Sequence, residues 1–423
     1  MPHLPRWGLF WLTLAFLLEL ANRLFFPQTP DISWAELLFP SEMFYFFNPI
    51  GVYFGISALI LWGGKRLPLS DRTMLILMAI GVGSFLLMNV IQPYEEGSAA
   101  IMLAVILWAI GAAAVLLWGY LALRGVLDRK GLRLTRAEKL YIKEFFFLTM
   151  LSCALGSATN TVLRLFAVLF PQTMDLDLYR IDLAYHGFAG MLFAGFDLHW
   201  SPFVKTVVMT VYNLLSIVLL FLLAPTLREG RMAQLHALRL MLVPFLLASV
   251  LYAFNPVAGP PAFAGRFPYD MAWIVPLGYG TDFVPPSFRN GMPSMHFTGA
   301  MLMVLIAAAL TRKIYFYATA LFAAITFIAT MAIGEHYLID LIVAAPYCIA
   351  LGTALMNPPG WHFYKRRIWW ANTACFVMWE LLLHFAATRV FLIENPLFVQ
   401  LFSALSVLVA VWGFAAFLRT VWY

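Results

Sequence analysis

Arg289-Asn290-Gly291-Met292-Pro293-Ser294-Met295-His296 and Gly334-Glu335-His336-Tyr337-Leu338-Ile339-Asp340, whose histidine follows the first by forty residues, decide how this chain is read. Each stretch runs from a polar loop into an apolar segment. Each therefore sets a histidine at a membrane surface beside a helix N-terminus, where backbone N–H groups and the helix dipole favour anions. Phosphate chemistry suits such a place.

The flanking segments explain why a membrane is invoked. The chain has 423 residues, is 63% hydrophobic and 11% charged, and has a mean hydropathy of +0.84, beyond the range of soluble globular proteins. Apolar runs near the bilayer-spanning length of about 20 residues recur throughout. Twelve are expected, at Trp7–Phe26, Phe44–Trp62, Met74–Val90, Ala99–Ala122, Phe145–Leu169, Val204–Leu223, Leu238–Phe254, Met295–Leu310, Tyr315–Ile333, Tyr337–Leu355, Ile368–Val390 and Pro396–Trp422. The fold class is thus an all-α polytopic membrane protein with about twelve transmembrane helices.

Basic residues set the expected orientation, because Lys and Arg accumulate on the cytoplasmic side of short loops. With both termini cytoplasmic, 20 of the 27 basic residues fall inside, including Lys65, Arg66, the run from Arg124 to Lys143, and Lys365 to Arg367. Acidic residues such as Glu95, Glu96, Asp175, Asp177 and Asp182 fall outside. The net charge of +6 then reflects topology and contact with membrane lipids, and gives no argument for nucleic acid. The first apolar segment lacks a small-residue cleavage site, so it is expected to be retained. Cys153, Cys348 and Cys375 lie in apolar segments without paired spacing, which indicates neither a disulfide framework nor a zinc site.

The polar stretch from Arg124 to Lys143 separates a group of four helices from the rest. We divide the chain into an N-terminal four-helix region (1–123), a basic linker (124–144), a catalytic core (145–356) and a two-helix extension (357–423). Within the linker, Thr135-Arg136-Ala137-Glu138 has capping-box spacing and predicts a short helix. From Asp175 to His199 apolar residues alternate with acids in a helical rhythm, which predicts an interfacial or re-entrant element. The Pro-rich loop from Asn255 to Met292 leads directly into the first histidine motif.

Pro293 and Ser294 are ordinary helix-start signals, and on the functional reading the hydroxyl, the backbone N–H groups and His296 converge on an anion. His336 and Asp340 are spaced i, i+4 and share one helix face. A carboxylate just inside a bilayer needs a partner. A bond to one His336 nitrogen would fix the tautomer and leave the other as a nucleophile. The orientation counted from basic residues puts both helix starts on the outer face, with one helix between them. Two histidines, one of them oriented by an acid, beside helix N-termini and arginines, form a site for phosphoryl transfer that calls for no metal and no cofactor. Two further i, i+4 pairs, Glu380 with His384 and Glu19 with Arg23, lack an accompanying motif and are read as structural contacts.

Met-Pro-Ser-Met-His with His-Tyr-Leu-Ile-Asp resembles the second and third signature motifs of the type 2 phosphatidic acid phosphatase (PAP2) superfamily, in its inositol-phosphorylceramide-synthase-like branch. Asn255-Pro256-Val257-Ala258-Gly259-Pro260 resembles that branch's Pro-x-x-Gly-Pro stretch. The resemblance covers about half the chain, from Phe145 to Leu355, and implies a six-helix catalytic core. It also implies that His336 attacks phosphorus to give a phosphohistidine, that Asp340 supports it, and that His296 protonates the leaving oxygen. Ser294, Arg289 and Asn290 would bind the phosphate. Two arginines of the wider superfamily's phosphate clamp have no counterpart, and Thr330 stands at one of their positions. Arg266 and Arg164 are the candidate replacements.

The expected substrate is a lipid-linked phosphoester at the extracytoplasmic face of a cell membrane, with water or an alcohol or lipid acceptor receiving the phosphoryl group. Headgroup transfer is favoured over plain hydrolysis of a lipid phosphate or polyprenyl pyrophosphate. A twelve-helix secondary transporter is the reading from another class. Against it, the two halves show no sequence similarity and the polar residues gather at one surface.

Overall fold

The structure, a computed structural model, describes residues 49–67, 70–91, 98–127, 134–149, 166, 169–260, 291–356 and 362–422. Secondary structure among them is helical, and the chain forms two compact units: Met1–Val162 with Leu223–Arg228, and Leu163–Leu222 with Glu229–Tyr423. The apolar segment Trp7–Phe26, the Glu19/Arg23 pair and most of Phe145–Leu169 lie outside the described residues.

In the first unit α1 (Pro49–Gly63) and α2 (Asp71–Ile91) both pack on α3 (Ser98–Leu127). Helix α4 (136–149) begins at the capping box read from sequence, with Glu138 N–H donating to Thr135 Oγ1 at 3.2 Å and Thr135 N–H to Glu138 Oε2 at 2.7 Å. Two of its buried hydroxyls are satisfied inside the unit. Tyr141 donates to the Ala114 carbonyl at 2.9 Å, and Thr149 to Ser57 at 3.2 Å.

The second unit opens with α5 (Asp175–Asp182), a 3-10 turn at Leu183–Tyr185, α6 (Phe188–His199) and α7 (Pro202–Phe221). After α8 (Leu223–Glu229), which belongs to the first unit as far as Arg228, come α9 (Arg231–Phe254), α10 (Met295–Ala308), α11 (Lys313–Ala332), α12 (Leu338–Leu355), α13 (His362–His384), α14 (Ala386–Glu394) and α15 (Pro396–Trp422). Helix α12 is its centre and packs against α5, α9, α10, α13 and α15. The segment set apart in sequence as a C-terminal extension thus covers the helix that carries Asp340.

Four helical stretches are long and apolar enough to cross a membrane, Ala233–Phe254, Lys313–Ala332, Leu338–Leu355 and Pro396–Trp422, or six if two bent pairs each count as one span. Among the described residues this is fewer than the twelve expected. Length explains part of the shortfall, because the 14 residues of α10 reach only about 21 Å, short of a hydrocarbon core of about 30 Å. The outer face of α15 exposes Leu397, Leu401, Leu405, Leu408 and Val411, an apolar surface suited to lipid and not to water.

Two sequence expectations for α13 and α14 are corrected. Ile368–Val390 is not one straight span, since the chain turns by 100° between His384 and Ala386. No proline or glycine marks the turn. Side chains make it, with Arg389 Nη1 donating to the Leu383 and His384 carbonyls at 2.9 Å each and Thr388 donating to the Phe385 carbonyl at 2.8 Å, so the carbonyls that would continue the helix are already engaged. Glu380 and His384 are structural but do not bind each other. Asn255 Nδ2 donates to Glu380 Oε2 at 2.6 Å, and His384 Nδ1 lies 3.0 Å from the Phe254 carbonyl, so both hold the end of α9.

The interfacial expectation for Asp175–His199 fails over α5, where all eight residues are buried, the three acids included. Helix α6 keeps the exposed apolar side chains Phe188, Met191 and Leu198.

Candidate active site

Ser294 is the N-cap of α10, and its hydroxyl accepts from the Phe297 N–H at 3.3 Å. Pro293 thus precedes the cap instead of opening the helix. The buried cap leaves the hydroxyl's own proton available to donate. The Ser294 N–H donates to the Asp340 carbonyl at 3.3 Å, which ties the start of α10 to the first turn of α12.

The second motif is built on a tight turn between α11 and α12. The Thr330 carbonyl accepts from both the Glu335 and His336 N–H groups, at 3.0 and 3.1 Å. Gly334 has φ +76°, and a Cβ there would stand 2.8 Å from the Phe193 ring, so the turn needs glycine on both counts. The Thr330 hydroxyl donates to Phe327 within its own helix at 3.0 Å. Thr330 therefore serves the turn and does not take the place of a clamp arginine.

His336 and Asp340 meet as their spacing predicts. Nδ1 of His336 lies 3.2 Å from Asp340 Oδ2, which also accepts the Tyr337 N–H at 3.0 Å. One oxygen thus orients the imidazole and caps the helix. His336 is 3% exposed, and burial pushes its imidazole down to about 4, opposed by the Glu335 carboxylate and the Gly291 backbone. At neutral pH the ring is uncharged and retains a lone pair for attack. The N-terminus of α12 is less open to a ligand than the sequence suggested, because its Ile339 N–H already donates to Asp182 Oδ1 at 3.2 Å.

The two histidines come together. Their ring centroids are 5.9 Å apart at 62°, an edge-to-face approach that lets both rings reach one phosphoryl group from the same side of the site. His296 is held by Tyr212 of α7, with ring centroids 4.1 Å apart and planes 17° apart. The Tyr212 hydroxyl is 3.2 Å from Nδ1. With the rings nearly parallel the hydroxyl lies over the imidazole face, away from the in-plane lone pair, so the contact is chiefly stacking. Sequence reasoning missed Tyr212, which is 84 positions from His296 and carries no motif.

It also missed the importance of Asp175. The Asp175 carboxylate accepts from the Ala258 N–H at 2.9 Å, the Gly259 N–H at 2.8 Å and the Tyr337 hydroxyl at 3.3 Å. Burial pushes its carboxyl up, and these hydrogen bonds, with one from Thr173, pull it down. The acidic rhythm of Asp175–Asp182 was the available signal, but its direction, inward, was not. Asp177 binds Arg389 Nε at 2.7 Å, with Arg180 3.7 Å away on its other oxygen. Arg164, Arg266, Arg289 and Asn290 lie outside the described residues.

The arrangement comprises a neutral, acid-oriented histidine edge-to-face with a second histidine, at the N-termini of two helices. Such a pair can exchange a phosphoryl group, with one ring as nucleophile and the other moving a proton. The described residues hold no group of three or more His, Cys, Asp or Glu side chains that could bind a metal. In comparisons with known proteins, no curated protein and no solved structure matches the chain. A family model does match: residues 176–355, which take in both histidine motifs, match that of the PAP2 superfamily and so point to a membrane phosphatase-type enzyme.

Proposed function

We propose that the protein transfers the phosphoryl-containing group of a lipid-linked phosphoester through a covalent phosphohistidine on His336. The observation that carries this reading is the 5.9 Å approach of the two imidazoles with Asp340 engaged on Nδ1 of only one of them. The His336 nitrogen not oriented by Asp340 attacks phosphorus, and the bond to the leaving oxygen breaks as His296 gives that oxygen a proton. A phosphate arriving beside His296 brings the negative charge that favours its protonated form. In the second half His296 takes the proton from water or an alcohol, whose oxygen attacks phosphorus and frees His336. No metal enters either step. Ser294 donates to an equatorial oxygen, and Arg289, Asn290, Arg266 and Arg164 supply the remaining contacts, matching the charge that a loose transition state spreads over those oxygens.

Hydrolysis and headgroup transfer share all of these groups and differ only in the acceptor. We favour transfer, on the resemblance of Asn255–Pro260 to the inositol-phosphorylceramide-synthase-like branch, at the extracytoplasmic face of a cell membrane. The experiment is to incubate purified protein with labelled phospholipids and polyprenyl phosphates, with and without alcohol acceptors. A new labelled lipid that needs the acceptor supports transfer. Free phosphate alone would make the protein a hydrolase, and no release from any substrate would overturn the proposal.

A further inference from the structure

Helix α5 is costly in a way its size does not explain. It has eight residues, all buried, and three are aspartates. Burying a carboxylate costs several kcal/mol unless it is fully paired, and an apolar helix of similar volume would often be the more stable choice. The three acids have different partners. Asp177 binds Arg389 on α14, Asp182 binds the Ile339 N–H at the start of α12, and Asp175 binds two backbone N–H groups and a tyrosine hydroxyl.

The partners of Asp175 connect to both histidine motifs. Ala258 and Gly259 belong to the stretch leaving α9, whose Val257 carbonyl accepts the Gly291 N–H at 2.8 Å, directly ahead of Ser294 and His296. The Met174 N–H adds a bond to the Pro256 carbonyl at 3.2 Å. Tyr337 is the residue after His336, and its N–H is held by Asp340. One carboxylate thus links the stretch bonded to the start of the first motif with the residue that follows His336 in the second. Asp182 grips the same turn two residues further on.

We propose that Asp175 is a positioning residue of the phosphoryl-transfer site, fixing the separation of His296 and His336 through the Ala258–Gly259 backbone and the Tyr337 hydroxyl. This rests on the phosphohistidine reading. Asparagine cannot replace the aspartate, because its single oxygen would serve one backbone N–H while its amide group faced the other donor. A displacement of about 1 Å between reacting groups costs on the order of 100-fold in rate.

The test uses full-length Asp175→Asn and Tyr337→Phe, with rates expressed per folded protein from size exclusion and thermal midpoint. Tyr337→Phe removes only one hydroxyl and leaves the backbone contacts of Asp175 in place, so it decides the matter if Asp175→Asn does not fold. The expected result is a fall in kcat of about 100-fold for Asp175→Asn and about 10-fold for Tyr337→Phe, with KM within about twofold of wild type and phosphohistidine formation slowed in proportion. Wild-type kcat in folded Tyr337→Phe, or in folded Asp175→Asn, would overturn the inference, as would a rise in KM at constant kcat. If wild type is active and His336→Ala is inactive while both variants match wild type, only this inference fails. If His336→Ala keeps wild-type turnover, the phosphohistidine reading itself fails.

Discussion

Replacing Asp340 with asparagine separates two things that its carboxylate does. Oδ2 accepts both the His336 Nδ1–H and the Tyr337 N–H, so an asparagine oxygen is held in that place by two donors, and an amide flip would set two N–H groups against its nitrogen. Orientation should survive in Asp340→Asn and the charge should not. The loss has two bounds. A hydrogen bond to a charged group contributes about 1.5–3 kcal/mol against about 0.5–1.5 for a neutral one, a difference near 1–1.5 kcal/mol. As His336 becomes a phosphoimidazolium the carboxylate acquires a full opposite charge, and at about 4 Å in an effective dielectric of about 20 that is about 4 kcal/mol. An intermediate value of about 2–3 kcal/mol gives a fall in kcat of about 30- to 150-fold. Steady-state kinetics on protein in detergent would show that fall with KM little changed. Asp340→Ala should lose more, and lose stability too, because it leaves the buried Tyr337 N–H without its acceptor at a cost of about 1–3 kcal/mol. An Asp340→Asn enzyme with wild-type kcat, or with kcat kept and KM raised tenfold, would refute the reasoning.

Other outcomes follow from the same geometry. Because burial holds His336 down at about 4, its neutral nucleophilic form is lost only as pH falls through about 4. The acidic limb of kcat/KM assigned to this group should therefore lie well below the ordinary imidazole range near 6.5, and a His336-dependent limb near 6.5 would contradict the burial. Arg389→Ala breaks a buried pair with Asp177, and since Arg180 remains 3.7 Å from that carboxylate, the loss should be near the lower end of the usual range, about 3 kcal/mol. Thermal-inactivation half-lives would read it, and an unchanged half-life would show the pair to be idle. Tyr212→Phe keeps the stack on His296 and should be close to wild type, whereas Tyr212→Ala should cost about tenfold in kcat, in line with about 0.5–1.5 kcal/mol for an aromatic pair. If the phenylalanine variant is as impaired as the alanine variant, the hydroxyl is the working group.

The parts of this architecture that are local in sequence were legible in it. The Thr135–Glu138 capping box, the Ser294 cap, the His336–Asp340 pair and the limits of α15 at Pro396 and Trp422 all depend on residues within a few positions of one another. Contacts between distant segments were not. Tyr212 reaches His296, and Asp175 reaches Ala258, across more than eighty residues with no periodicity to announce either. The turn at Phe385 escaped for another reason. Its cause is side-chain capping of carbonyls by Thr388 and Arg389, and threonine and arginine are also common inside straight helices. Hydropathy marked Asp175–Asp182 as half-polar, and that pattern reads as a surface helix unless the partners of its acids are known.

The most direct measurement is to quench turnover of a substrate labelled at phosphorus with base, where phosphohistidine persists, and to locate the label by peptide mass spectrometry. The account predicts phosphate on the imidazole of His336, gained and lost at rates matching kcat, and absent in His336→Ala. A label on another side chain, or continued turnover in His336→Ala, would contradict it.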